Sequence, residues 1–398
     1  MTPARTAAVA LAATLAIQIY AAFAATAPAV LAPEIARTFG VEARWIGAFV
    51  GLVYAGGMFA SLASGGFIER HGSIRVSQAC VVLCALGVAG IALAPAHAIA
   101  LLAAAAVVIG LGYGPITPAS SQLLQRTAPP ARMALTFSIK QTGVPAGAAL
   151  SGALLPALAL ATGWRSAFAI AALAGLAIVA TAQPIRAGLD ADRDPKGRVS
   201  AAGIIAPLSL LRESRALRDL ALVSFAYSAT QVCLTSFLVV YLTETLHFSL
   251  VAAGLALTSA TLGGVAGRIG WGYVADRWLR PRVVLATIGF CAAACGALTA
   301  VATSAWPPPA IATLAALFGA TAIGWNGVQL SEVARLAPPG SAGKVTGATG
   351  FVTFAGVVVG PPSFALMSSV TGSYRIGFAA FAAASVAAAV ALLARRIQ

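Results

Sequence analysis

The chain has 398 residues, of which 60% are hydrophobic and only 9% charged, whereas roughly a quarter of the residues in a soluble domain are charged. That composition excludes a soluble enzyme or binding module and places the polypeptide in a bilayer. The net charge of +14 would suit nucleic acid, but the basic residues are scattered through short turns without interleaved aromatics, so no nucleic-acid partner is expected.

Apolar runs predict membrane helices at about 7–32, 45–68, 76–96, 98–123, 134–160 and 166–184, then at 217–243, 251–274, 283–303, 309–333, 344–369 and 375–394. The first run, with Arg5 before it and small residues from Ala22 to Ala27, imitates a secretory signal. It continues through Pro28 and Leu31, and its removal would leave the first half one helix short. It is read as the first membrane helix.

Between the halves lies a charged segment with Asp190, Asp192, Arg193, Asp194, Lys196 and Arg198, followed by Arg212, Glu213, Arg215 and Arg218. The expected organisation is a six-helix bundle at 1–185, a linker at 186–216 and a second bundle at 217–398. A short amphipathic helix on the membrane surface fits the linker. Nineteen of the 25 Lys and Arg fall on the side of the two termini and the linker, and only Arg37, Arg44, Arg165 and Arg375 fall opposite. The sorting puts both termini in the cytoplasm of an inner-membrane protein, read as a monomer with lipid around it. Cys80, Cys84, Cys233, Cys291 and Cys295 all lie inside apolar runs. They read as small packing residues, with no disulfide framework, metal or other cofactor expected.

The halves repeat. Gly65, Glu69, Arg70 and Arg75 correspond to Gly272, Asp276, Arg277 and Arg282 at an offset of 207, and the stretch from Arg126 matches that from Arg335 at an offset of 209. Gly147 then matches Gly356. Two copies in one orientation suggest transport by rocking of two halves about a central site.

On these residues the chain resembles the major facilitator superfamily over essentially its whole length. Its loop signature, Gly-x-x-x-Asp/Glu-Arg-x-Gly with basic residues after it, is similar to Gly65, Glu69, Arg70, Gly72 and Arg75. The second copy has Leu279 where the second glycine would stand. The resemblance implies an all-α integral membrane protein of twelve helices, in two six-helix bundles related by pseudo-two-fold symmetry. It also implies that the motif residues form a latch holding one conformation, the alternative being positive-inside anchoring and helix-end capping. Gly143, Val144, Pro145, Ala146, Gly147 and Gly152 resemble the family's fifth-helix motif, implying a hinge at Gly143, Pro145 and Gly147. The fourth-helix arginine of proton-driven drug exporters is missing from Leu101 to Gly114.

Two cations fall inside apolar runs, where a basic side chain costs on the order of 3 kcal/mol and usually marks a ligand site. Lys140 is eight residues inside Arg132 and Arg268 eight residues before Asp276, about 12 Å from a helix end in each case. In the family's fold the two would face one cavity. Glu34, Glu42 and Glu244 lie toward one face and Glu69, Asp276 and Glu332 toward the other, which makes an anionic substrate the natural counter-ion for the pair. The alternatives are snorkelling for Lys140 and a bond to helix-end carbonyls or Asp276 for Arg268.

Arg268-x-x-x-Gly272, with Arg280-Pro281-Arg282, also resembles the eighth helix of monocarboxylate and oxalate transporters, where the arginine binds the substrate carboxylate. Gly264 stands where animal monocarboxylate carriers have an acid. Gln18, Tyr20, Tyr113, Tyr227, Gln231, Trp325 and Asn326 are expected to line the cavity. The reading is a secondary transporter of mono- or dicarboxylates, with proton symport left open and efflux of hydrophobic or drug-like compounds as the alternative. His71, His97 and His247 are scattered and form no catalytic constellation, so no enzyme is expected.

Overall fold

Apolar runs of this length become helices because the hydrocarbon offers no partner to a backbone N–H or C=O, and only a helix satisfies both internally. A computed structural model describes residues 2–41, 46–197 and 199–394, except for the side chains of 201–203. Arg44, Arg198, Arg395 and Arg396, which entered the sorting of basic residues, and Glu42, one of the acids placed toward one face, lie outside the described residues.

Among the described residues twelve helices are long and apolar enough to cross a membrane: α1 Pro3–Val30, α2 Ile46–His71, α3 Ser73–Leu93, α4 Ile99–Thr127, α5 Pro130–Thr162, α6 Trp164–Leu189, α7 Arg215–Thr245, α8 Leu250–Arg277, α9 Pro281–Val301, α10 Pro308–Leu336, α11 Ala342–Thr371 and α12 Tyr374–Ala394. The expected number and order hold. Several ends differ by a few residues, most of all in α6, which runs through Pro184 to Leu189 past its expected end at 184. Two short helices join the twelve. Ala32–Phe39 was not expected, and Gly40 in the left-handed conformation ends it. Ala201–Glu213 lies in the linker and packs on α2, with Leu211 buried and Ile205 63% exposed.

The chain forms two compact units. Met1–Pro129, Lys140–Glu213 and Ala334–Phe351 make the first; Pro130–Ile139, Ser214–Val333 and Val352–Gln398 make the second. In the first unit α1 packs on α5, α2 on α4, and α3 on α4 and α6. In the second, α8 packs on α10, α9 on α10 and α12, and α7 on α12.

Small residues at the crossings let backbones meet, the usual basis of helix association in lipid. A β-carbon at Gly147 of α5 would lie 2.2 Å from the Ile19 carbonyl oxygen of α1. Its counterpart in the second unit, at Gly356 of α11, would lie 2.3 Å from the Phe225 carbonyl oxygen of α7. Arg165 and Arg375 close helix ends rather than face solvent alone: Arg165 donates to the Ala94 carbonyl at 2.8 Å and Arg375 to that of Ala300 at 3.2 Å.

Three spans are interrupted. Gly114 and Pro115 break α4, Thr142 breaks α5, and Ile323 to Trp325 break α10. Pro115 has no N–H to continue the ladder. Irregular backbone at membrane depth survives only where protein or a cavity receives its freed polar groups, and the candidate site residues gather at these breaks.

Candidate functional site

In the first unit the break in α5 carries Lys140, which is 1% exposed. Its ammonium donates to Gln18 Oε1 at 2.7 Å, Gln141 Oε1 at 3.1 Å and Thr117 Oγ1 at 3.4 Å. Gln18 comes from α1 and Thr117 from just past the α4 break, so three helices converge on one charge. The lysine does not snorkel; its stem runs into the unit. Gly143 belongs to the same arrangement, since a β-carbon there would lie 3.0 Å from Gln18 Cβ.

In the second unit Arg268 is also 1% exposed. Its Nε donates to the Ile323 carbonyl at 3.1 Å, a group freed where α10 is interrupted, and Trp271 Nε1 donates to Ala320 O at 2.9 Å. Helix α8 thus stitches the break in α10 with two side chains. The helix-end carbonyl considered as an alternative partner for Arg268 is one of its contacts, while Asp276 is engaged elsewhere. Beside the break, Gln231 Oε1 accepts from Trp325 Nε1 at 3.2 Å and Asn326 Nδ2 at 3.1 Å.

The tyrosines are placed differently. Tyr20 donates its hydroxyl to Ala171 O of α6 at 3.2 Å, and Tyr227 donates to Leu285 O of α9 at 2.9 Å. Both phenols are buried in helix packing within their own units, over Gly175 and Gly289 respectively. Tyr227 meets Trp325 edge to face at 5.8 Å, and Tyr113 meets Tyr54 at 6.2 Å.

At the motif end of the first unit, Glu69 pairs with Lys344 of α11 at 2.7 Å. Gly65 makes the approach feasible, because a β-carbon there would lie 2.5 Å from Lys344 Cγ. In the second unit Asp276 accepts from the N–H groups of Ala134 and Leu135 at 2.9 and 2.8 Å, capping the first turns of α5 as a carboxylate at a helix N-terminus does. Gly272 meets Ser138, whose Oγ would lie 2.5 Å from an added β-carbon. Arg282 approaches Glu332 at 3.9 Å. Arg70, Arg75 and Arg277 are exposed.

Two sets of residues carry this region without having been singled out in the sequence. Asp190, taken there as a linker charge, is 2% exposed and caps α3, accepting from Ile74 N at 2.7 Å and Arg75 N at 3.0 Å. It lies over Gly72, where φ is +91° and a β-carbon would meet its carboxyl carbon at 2.3 Å. This explains why the second copy tolerates Leu279: its turn is longer, and Pro281 starts α9 at the first helical position.

The second set is Gln122 and Gln125, one turn apart on α4. Gln122 accepts from Gly343 N and donates to Gly340 O, both at 2.8 Å, and Gln125 donates to Ala334 O at 2.7 Å. They clamp the connection into α11. The signal was present: Gln122-Leu123-Leu124-Gln125 is matched by Gln329-Leu330-Ser331-Glu332 at the half-chain offset of 207.

Burial pushes the Asp190 carboxyl above the usual carboxylate range, and Asp192 adds to this. The Ile74 and Arg75 N–H groups and the Arg186 charge pull the other way. The native state therefore holds this proton more tightly than the unfolded chain. Stability contributed here is full below the ordinary aspartate pKa of about 4 and is lost as pH rises through the raised value. Thermal unfolding in detergent across that window is expected to show the decline in the natural protein and a flatter profile in Asp190→Asn.

Comparison with known proteins follows from this architecture. Residues 13–361 match the family model described as Major Facilitator Superfamily. The chain is similar to the E. coli fucose:proton symporter FucP, with a TM-score of 0.76 at 17% identity over 99% of this chain and 100% of that one. It is similar to the human organic anion transporter MFSD10, with a TM-score of 0.76 at 18% identity over 98% and 100%. It is also similar to a bacterial homologue of the iron transporter ferroportin, with a TM-score of 0.74 at 15% identity over 97% and 98%. At these identities the likeness is one of fold. Among curated protein sequences none matches the chain significantly.

Proposed function

Since the chain belongs to the Major Facilitator Superfamily, we propose that it carries small organic anions, mono- or dicarboxylates above all, across the cytoplasmic membrane by alternating access. Membrane transport itself comes with the family; the substrate class rests on this chain's own residues. The observation that carries it is the burial of one basic side chain in each unit, Lys140 and Arg268, both 1% exposed and both at an interruption in a membrane helix. Intramembrane cations at such breaks mark ligand sites. A guanidinium grips a carboxylate through two parallel hydrogen bonds, and an ammonium serves as a mobile point charge.

One structural neighbour is named an organic anion transporter and others are named sugar symporters, so fold alone does not choose between them. Within the proposal Glu69 with Lys344, Gln122 with the connection into α11, and Asp276 with the start of α5 act as latches that open and close in turn. Gly143, Pro145 and Gly147 serve as the hinge of α5, and both termini lie in the cytoplasm. The protein works as a monomer.

Purified protein in liposomes tests the reading by counterflow of labelled carboxylates, a hexose and a lipophilic cation, with and without an imposed pH gradient. Saturable carboxylate exchange is expected, and the gradient shows whether a proton accompanies it. Exchange of the hexose or the cation without any carboxylate would sink the assignment.

A further inference from the structure

The short helix Ala32–Phe39 borders a groove of about 550 Å³ in the first unit, between itself and the nearby ends of α1, α5 and α6. That is the size of a small-molecule site. Its floor is apolar, made by Val30, Leu31, Pro156 and Ala159, and its rim is charged, with Glu34 and Arg37 one turn apart on the short helix. Gly163 leaves the groove open where α6 begins, since a β-carbon there would meet nothing within 4 Å. None of these residues serves the candidate site.

Trp164 forms one wall and is held in place by its neighbours. The Arg165 guanidinium lies 4.7 Å over its ring, and the rings of Phe39 and Phe168 lie 6.4 and 5.9 Å away. A wall fixed in this way costs little to order when a ligand arrives. The groove lies where membrane helices end, the level that tryptophan side chains share with phospholipid headgroups. It opens on apolar side chains of a membrane helix, since Leu154 and Leu160 of α5 are 50% and 90% exposed. The Glu34 and Arg37 side chains are 45% and 70% exposed, so their mutual pairing contributes little and gives way to a ligand that brings a matching pair of charges. A soluble phosphate ester has no use for the apolar floor, and a bare hydrocarbon has none for the charged rim. A zwitterionic phospholipid meets both: a guanidinium takes phosphate through two parallel hydrogen bonds, and an ammonium donates to a carboxylate.

We propose that this groove binds a phospholipid with a phosphoethanolamine headgroup, its phosphate on Arg37, its ammonium on Glu34 and the start of an acyl chain over Val30, Leu31 and Ala159. The lipid braces the short helix against α1 and α5. Headgroup selectivity follows from the rim. Phosphatidylcholine keeps both charges, but its quaternary nitrogen has no N–H for Glu34. Phosphatidylglycerol brings a net negative charge and nothing to answer Glu34. The site is independent of which solute the protein carries.

The test titrates delipidated full-length protein in detergent with dioleoyl phosphatidylethanolamine, phosphatidylcholine or phosphatidylglycerol, and reads melting temperature and lipid retained in native mass spectrometry. Phosphatidylethanolamine is expected to raise the melting temperature by several degrees and to stay bound as a single copy, with phosphatidylcholine weaker and phosphatidylglycerol weakest. Arg37→Ala is expected to lower the phosphatidylethanolamine affinity about tenfold or more, as loss of a charged hydrogen-bond partner does. Glu34→Gln is expected to shrink the advantage over phosphatidylglycerol by a similar factor. Ala159→Trp, which fills the floor and leaves the charged pair intact, should weaken all three lipids together, with elution as the folding control. A merely structural role for the pair would move the lipid-free melting temperature and leave the order of lipids unchanged. Equal stabilisation by all three lipids in the natural protein, or an unaltered order in both charge variants, overturns the proposal. Free phosphoethanolamine that stabilises as well as the intact lipid overturns it in favour of a soluble ligand.

Discussion

Replacing Arg268 by alanine is expected to lower kcat/KM for organic anions about a hundred- to a thousandfold. Removing one member of a buried ion pair costs on the order of 3–5 kcal/mol, because the other charge is left in a poor solvent. In the liposome assay that other charge is the substrate carboxylate. Arg268→Lys keeps the positive charge but loses the two-pronged geometry and the Nε bond to Ile323 O, so a loss of about tenfold is expected. The split between KM and kcat is informative: a rise in KM alone marks binding, whereas a fall in kcat marks an interaction made only while the transporter turns over. Ligand-induced thermal stabilisation should vanish in parallel, since it depends on binding to the native state. Full exchange activity in Arg268→Ala would refute the assignment of this arginine.

Asp276→Ala removes two carboxylate hydrogen bonds from the first turns of α5. Helix caps of this kind contribute about 1–2 kcal/mol and the favourable end of the helix dipole adds to it. The conformer holding these contacts is expected to lose roughly ten- to a hundredfold in population. A cysteine at Ala134, which is 2% exposed, reads this directly in a protein with Cys291 replaced by serine. Its maleimide labelling rate should rise by a similar factor in Asp276→Ala and much less in Asp276→Asn, which keeps one acceptor. The Glu69–Lys344 pair is different, because its side chains are 46% and 32% exposed. Exposed pairs contribute about 0–1 kcal/mol, so Glu69→Gln should raise accessibility only slightly.

The helices were legible because the bilayer forces a one-to-one relation between apolar length and structure. That Lys140 and Arg268 would be enclosed was legible for the same reason, since both fall well inside apolar runs, and both are 1% exposed. Which way a polar side chain faces was not. Tyr20 and Tyr227 lie on helices expected to line the cavity, yet their hydroxyls go to backbone carbonyls of α6 and α9. Asp190 read as a linker charge because its partners lie 115 and 116 residues away and leave no local pattern. Gln122 and Gln125 had a trace in the half-chain repeat, but their targets beyond residue 333 are set by tertiary packing. Of the helix breaks, the one at Pro115 follows from the missing N–H, whereas the one at Ile323 to Trp325, centred on Gly324, is stitched by side chains of α8 that lie far away in sequence.

Ser61 holds the place in the first half that Arg268 holds in the second, and Thr349 in α11 corresponds to Lys140 in α5. Ser61 is fully buried; its hydroxyl donates to Gly347 O at 3.3 Å, and a β-carbon at Gly350 would lie 2.5 Å from that hydroxyl. An arginine has no room there. The two copies of the repeat are thus complementary, each carrying one charge where its twin has a small hydroxyl. A tandem of two first halves would carry two lysines and no arginine, and a tandem of two second halves the reverse.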